Sequence, residues 1–158
     1  MPSPLEGLVV GLLVGSGLVS GILFIFSNTV MEALGRQGED EGAAAMVSIN
    51  EIILNPTFFL LFVGTGAANA ALVILTFLWR PDGAWMLYTA AGLYIVGVLG
   101  VTGAVNVPLN ERLAVARPSG EETRKLWHHY LDRWTRWNSV RTGAGVLTTI
   151  ALAIWLTR

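Results

Sequence analysis

The sequence predicts an all-α membrane protein, a bundle of four transmembrane helices formed by a single domain of residues 1–158. Two observations predict this class. The chain contains four long runs without a charged residue, at positions 7–31, 52–79, 83–110 and 142–157. In addition, 53% of the residues are hydrophobic and only 13% are charged, which is less charge than a soluble domain of this size carries.

The length of each run determines how it can cross a bilayer. A hydrocarbon core about 30 Å thick requires about 20 residues of α-helix, and the first three runs exceed this length. The fourth run rises only about 24 Å. We therefore expect the fourth span to include residues 138–141, with Arg141 near or below the membrane interface.

The sequences that connect the runs also predict local structure. Residues 43–54 are predicted to form an interfacial helix that Asn55 and Pro56 interrupt before the second span. Residues 80–83, with the sequence Arg-Pro-Asp-Gly, are typical of a tight turn. Residues 118–122 resemble a helix start, capped by Ser119 or Thr123, from which a long amphipathic extension leads into the fourth span.

Glycines in the first and third runs are predicted to let neighbouring helices approach closely, because lipid provides no hydrophobic drive for helix association. They are Gly7, Gly11, Gly15, Gly17, Gly21, Gly92, Gly97, Gly100 and Gly103.

The distribution of basic residues predicts the orientation in a cell inner or plasma membrane. One end of the bundle carries eight lysines and arginines and the other carries two, so the basic end is expected to be cytoplasmic and both termini outside. The first run is expected to be retained, since residues 1–6 contain no lysine or arginine and the run is longer than the apolar part of a signal peptide.

Polar residues collect at the predicted cytoplasmic end of every span. They are Asn28, Glu32, Asn50, Glu51, Asn55, Asn106, Asn110, Asn138 and Arg141. Each is costly in hydrocarbon, by about 1–3 kcal/mol for an unpaired amide. Two explanations stay open: the arginine reaches the headgroups while the asparagines cap or join helices, or the set lines a polar pocket.

Aromatic residues lie on the same helical face as this polar end. Trp127, Tyr130, Trp134 and Trp137 precede Asn138 at spacings that place them on one side of a helix. They can stack on a flat ligand or form an interfacial aromatic belt. The adjacent pair His128 and His129 diverges by about 100° on a helix, and no metal site is predicted.

Several short motifs that apolar periodicity would not produce occur along this chain. The more specific are Asn-Val-Pro-Leu-Asn at 106–110 and Trp-Thr-Arg-Trp-Asn-Ser-Val-Arg-Thr at 134–142. Phe-Ser-Asn at 26–28 with Met31, Ile-Asn at 49–50 and Asn-Pro at 55–56 with Phe58 precede them in the same order. Together these motifs resemble the anthrone oxygenase-like family of small membrane proteins, and the resemblance extends over nearly the whole chain.

The resemblance implies an oxygenase that converts an anthrone, a tricyclic polyketide phenol, to an anthraquinone with dioxygen and without a metal or organic cofactor. Its expected partners are an apolar aromatic molecule such as an anthrone or quinol, dioxygen and membrane lipids. Nucleic acid is not expected, because the net charge is -1.

That chemistry requires residues that hold a flat aromatic molecule, accept a proton and stabilise an anion. The catalytic candidates are Asn138, Arg141, Asn106 and Glu32, with Glu32 as the first candidate base and Glu51 as the second. The substrate-binding candidates are Asn28, Asn50, Asn55, Asn110, Tyr130, Trp134 and Trp137.

Non-catalytic functions are also compatible with the sequence. The bundle can be a membrane module that binds a lipid or quinone, or a subunit that packs with a partner membrane protein. An enzyme predicts that Asn106, Asn138 and Arg141 line one pocket, whereas a packing module predicts that they bond to one another and leave no cavity. The oligomeric state is left open.

Overall fold

The computed structural model describes residues 3–116 and 121–158, except for the side chains of residues 121–123. In this part of the chain all the regular structure is helical. The elements are α1 (Pro4–Ile25), π1 (Phe26–Val30), α2 (Met31–Gly35), α3 (Glu39–Ile52), α4 (Pro56–Trp79), α5 (Ala84–Gly92), π2 (Leu93–Gly100), π3 (Thr102–Asn106), α6 (Val107–Val115) and α7 (Glu121–Leu156).

Four continuous helical segments are long and apolar enough to cross a membrane. They are Pro4–Gly35, Pro56–Trp79, Ala84–Val115 and Arg124–Leu156, which we number as the first to fourth spans. The first span packs against the second and the fourth, and the third span also packs against the second and the fourth. The spans therefore form a four-helix bundle, and the predicted fold class is confirmed.

The connection before the second span contains the predicted helix. It is α3, which begins at Glu39, four residues earlier than predicted, because three acidic residues in its first turn suit a helix N-terminus. The Asn55 side chain accepts a hydrogen bond from the Phe58 N–H at 3.0 Å and so caps α4, with Pro56 as its first residue. That α3 lies at the membrane interface stays a prediction.

The turn between the second and third spans forms as the sequence predicts. Arg80 and Gly83 have φ angles of 47° and 69°, and the Ala84 N–H donates to the Pro81 carbonyl at 3.1 Å. The indole of Trp155 donates to the Asp82 carbonyl at 3.0 Å, so this turn is joined to the end of α7.

The fourth span is part of one uninterrupted helix of 36 residues, α7. This helix contains both the predicted amphipathic extension and the short apolar run, so residues 138–141 lie inside it. Of its predicted caps, Ser119 lies outside the described residues and the side chain of Thr123 is not described. Packing of α3 against α2, α6 and α7 covers the polar end of the bundle.

The predicted glycine faces are only partly correct. A Cβ atom at Gly15 would meet the Thr65 side chain and one at Gly97 would meet the Cβ of Ala144, so these glycines do permit close helix contact. The prediction is wrong for five others, because a Cβ atom there would meet nothing within 4 Å. They are Gly7, Gly11, Gly21, Gly92 and Gly103.

Gly97→Ala is expected to destabilise the protein by about 1–3 kcal/mol, because the new Cβ would lie only 2.5 Å from the Cβ of Ala144 and would force two spans apart. Gly92→Ala in the same span is the matched control and is expected to be neutral or slightly stabilising. Thermal unfolding in detergent measures both. Equal melting temperatures for the two variants would contradict the close contact.

Candidate active site

The described part of the bundle contains a cavity of about 450 Å³ near its polar end. Side chains from α1, π1, α3, α4, the second half of the third span and α7 surround it, and most of them are apolar. The volume lies within the usual range for small-molecule sites, about 300–1,000 Å³. The polar or charged lining residues are Asn50, Glu51, Thr102, Asn110, Glu111 and Arg141, and Trp134 also contributes.

Arg141 is the cation of this cavity and is only 5% exposed. Its Nη1 donates to Thr102 Oγ1 at 3.0 Å and its Nη2 donates to Asn138 Oδ1 at 2.6 Å. The guanidinium also lies over the Trp134 ring, 5.3 Å from the centroid. Among the described side chains no carboxylate is within ion-pair distance of it, and its Nε is buried without a hydrogen-bond partner. Arg141 is therefore a buried cation held by neutral groups.

Asn138 determines where this guanidinium lies. Its side-chain amide donates to the Leu23 carbonyl at 2.6 Å and to Ser27 Oγ at 2.7 Å. Because the amide nitrogen donates to both of these acceptors, the amide oxygen is the atom that faces Arg141. The fully buried Asn138 thus joins the first span to α7 and positions Arg141 at the cavity.

Asn110 joins the third span to the aromatic face of α7. Its Oδ1 accepts hydrogen bonds from the Tyr130 hydroxyl at 2.7 Å and from the Trp134 indole at 2.8 Å. Trp127, Tyr130 and Trp134 stack in sequence and are at most 5% exposed. These three residues are packed inside the protein, so the alternative of an interfacial belt is wrong for them.

Asn110→Leu is expected to cost about 2–4 kcal/mol of unfolding free energy, because it leaves the buried Tyr130 hydroxyl and Trp134 indole without an acceptor. Asn110→Asp keeps an oxygen in that place and is expected to retain more of the stability. Chemical unfolding followed by tryptophan fluorescence compares the two. A leucine variant as stable as the aspartate variant would contradict the claim that the two hydrogen bonds to Asn110 Oδ1 stabilise the fold.

Asn106 lies behind the cavity wall. It is 1% exposed, its amide nitrogen donates to the Trp134 carbonyl at 3.3 Å, and its Oδ1 has no partner. Asn50 lies on the α3 side of the cavity, with its Nδ2 at 3.5 Å from the Tyr130 hydroxyl. Of the three residues that an enzyme was predicted to place around one pocket, only Arg141 lines the cavity. Asn138 bonds to Arg141 and Asn106 to the Trp134 carbonyl, as a packing module predicts, but a cavity is present, which that alternative did not predict.

Seven predicted site residues lie outside the cavity lining. Asn106, Asn138 and Tyr130 hydrogen-bond to residues of the lining. The other four are Glu32, Asn28, Asn55 and Trp137. Glu32 pairs with Arg36 beside a shallow groove on another face of the bundle. The Asn28 amide donates to the Thr29 hydroxyl at 3.2 Å, and Asn55 is occupied in capping α4. Trp137 is half-buried. The second candidate base, Glu51, does line the cavity.

Sequence reasoning missed Thr102, Ser27 and Glu111, which contribute to the cavity or to its hydrogen bonds. It also missed π1, π2 and π3, each of which changes the helical phase near the cavity. Such segments are frequent at functional sites. No signal in a single sequence marks them, although the Asn-x-Pro at 106–108 does mark the end of π3.

Comparison with known proteins gives one match. No curated protein and no solved structure matches the chain. The model of the anthrone oxygenase family matches residues 58–151, which is more than half of the chain. The matched part contains both specific motifs, at 106–110 and 134–142, whereas the motifs at 26–31, 49–50 and 55–56 precede it. The chain therefore belongs to the anthrone oxygenase family.

Proposed function

We propose that the cavity is the active site of an oxygenase that oxidises anthrone-like phenols with dioxygen and without a metal or organic cofactor. The observation that carries the proposal is the environment of Arg141. A cation surrounded by neutral groups at one end of an apolar cavity favours a flat aromatic molecule with a negative charge at one end.

An anthrone is a suitable reductant for this reaction. Loss of a proton from its central CH₂ group gives an anthrolate anion, whose charge is shared with the oxygen across the ring. The anion transfers electrons to dioxygen and forms a carbon–oxygen bond, and the peroxide takes up a proton. Loss of the second CH₂ hydrogen with cleavage of the O–O bond gives the quinone carbonyl and one water molecule, so the atoms balance.

Arg141 is proposed to stabilise the anthrolate oxygen, because Nη1 and Nη2 each carry a second N–H group and no carboxylate among the described side chains neutralises the charge. Asn138 keeps the guanidinium in place, and Trp134 contributes to the wall of the cavity beside it. Asn110, Asn50 and Tyr130 support that wall through their hydrogen bonds.

The proton acceptor is proposed to be Glu51, which is exposed and lines the cavity from α3. Of the two candidate bases it is the one with access to a bound ligand, since Glu32 lies elsewhere. Glu111 on α6 also lines the cavity and is a further acceptor of protons in this region.

The proposed site faces the cytoplasmic end of a cell inner or plasma membrane, with both termini outside. The support is the excess of lysine and arginine at this end of the four spans. Membrane lipids then surround the apolar outer faces of the bundle.

Metal-stripped protein in detergent is expected to accelerate oxygen uptake by a model anthrone well above the spontaneous rate, with one anthraquinone formed per dioxygen consumed. An oxygen electrode together with product chromatography measures both quantities. Glu51→Gln is expected to lower kcat, and Glu32→Gln is the matched control that leaves it unchanged. Saturable binding of the anthrone without acceleration would instead favour a module that binds an aromatic lipid or quinone.

A further inference from the structure

The wall of the cavity is incomplete on one side, and the residues at its edge are apolar and exposed. Phe59 and Val63 on α4 are 59% and 40% exposed, and Val107 on α6 is 40% exposed. All three line the cavity. Exposed apolar residues within membrane spans face lipid, so the edge of the cavity adjoins the bilayer.

The gap arises because the second and third spans diverge towards the polar end. The second span packs against α1, α5 and π2, whereas α6 packs against α3 and α7. The Tyr94 hydroxyl donates to the Phe62 carbonyl at 3.1 Å and holds the two spans together where the cavity begins. Beyond this hydrogen bond α4 and α6 separate, and the cavity occupies the space between them.

We propose that this gap is a lateral portal, bounded by Phe59 and Val63 on α4 and by Val107 on α6, through which a flat aromatic substrate enters from the bilayer. The proposal rests on the proposed function, since it takes the cavity to be the substrate site. The ligand slides in with its phenolic end first and ends with that group at Arg141.

Charge favours this route over entry from water. The cavity lining also includes the carboxylates of Glu51 on α3 and of Glu111, which lies one helical turn beyond Val107 towards the end of the third span, and both repel an anionic phenolate. The apolar portal residues instead admit the neutral phenol that partitions into lipid. Ionisation then takes place next to Arg141, where the charge is stabilised.

A blocking residue at the portal tests this route without relying on catalysis. Val63→Trp places a large ring at the edge of the gap. Ile74→Trp is the matched control, because Ile74 is also exposed, lies on the same face of α4 three turns further on, and does not line the cavity. The probe is a hydroxyanthraquinone dissolved in proteoliposomes, and stopped-flow quenching of tryptophan fluorescence measures its association rate.

We expect Val63→Trp to slow association by about tenfold, and Ile74→Trp to leave it within about twofold of wild type. Val107→Trp, on the opposite edge, is expected to act like Val63→Trp, so the result does not depend on the folding of one variant. Wild-type rates in both portal variants would show entry from water and overturn the proposal. Non-saturable quenching in wild type would also overturn it and would leave a lipid chain as the occupant.

These outcomes are separable from those of the oxygenase proposal. An anthraquinone consumes no oxygen, so a protein with no oxygenase activity can still bind it through the portal. Conversely, an active oxygenase whose association rate is the same in all three tryptophan variants retains the proposed function and lacks the proposed route.

Discussion

Arg141→Met is expected to lower kcat/KM for anthrone oxidation by about 10²- to 10³-fold, the usual effect of removing a buried donor to an oxyanion. The guanidinium lines the cavity and is not paired with any carboxylate among the described side chains, and methionine fills a similar length without charge or donors. Initial rates of oxygen uptake over a range of anthrone concentrations measure the loss.

The same substitution distinguishes function from structure. Removing the buried charge relieves its desolvation cost, whereas losing its N–H groups leaves Asn138 Oδ1 without a donor. Arg141→Met is therefore expected to lower the free energy of unfolding by at most about 1–3 kcal/mol and to stay folded. Arg136→Met is the matched control on the same helix, because Arg136 is exposed and pairs with Asp132 at 2.7 Å. Rates in Arg141→Met within threefold of those in Arg136→Met would contradict the role of Arg141.

Thr102→Asp is the second substitution with a large expected effect, because it adds a counter-ion next to Arg141, which pairs with no carboxylate among the described side chains. Thr102 Oγ1 lies 3.0 Å from Arg141 Nη1, so a carboxylate here is within reach of the guanidinium. The new carboxylate neutralises Arg141 and repels an anionic aromatic ligand. The affinity for such a ligand is therefore expected to fall by at least about tenfold. Equilibrium binding of a hydroxyanthraquinone in detergent measures the change.

Thr102→Asn is the matched control, because asparagine has nearly the same shape as aspartate and carries no charge. It keeps an acceptor for Arg141 and adds no charge, so the affinity is expected to stay close to that of wild type. If asparagine and aspartate weaken binding equally, the cause is the shape of the site and not its charge, and the anion-binding role of Arg141 would be refuted.

The fold was predictable because a membrane imposes simple length and polarity requirements. The charge-free runs correspond to the four spans, and the Arg-Pro-Asp-Gly turn follows from its residue types. The glycine faces were less predictable. Spacing places Gly7 and Gly11 beside Gly15, but only the arrangement of the bundle decides that Gly15 meets Thr65 while the other two face outwards.

The candidate site was predictable in part for a related reason. Alternating spans bring the ends of odd spans and the starts of even spans to one membrane face, which placed Asn110 of the third span beside Tyr130 and Trp134 of the fourth. Side-chain direction was not predictable. The helix faces were assigned from regular α-helical spacing, and the π segments change that spacing. For Asn55 the residue type alone could not decide, because asparagine suits both a helix cap and a ligand contact, and in the structure it caps α4.

The most direct test of the central claim, that Arg141 stabilises an aromatic anion in this cavity, is the visible spectrum of a hydroxyanthraquinone bound to the protein. At a pH just below the pKa of the free phenol, the wild-type protein is expected to bind the coloured phenolate. Arg141→Met and Thr102→Asp are expected to bind the neutral phenol or to bind no ligand. A neutral-phenol spectrum of the ligand bound to wild-type protein would contradict the claim.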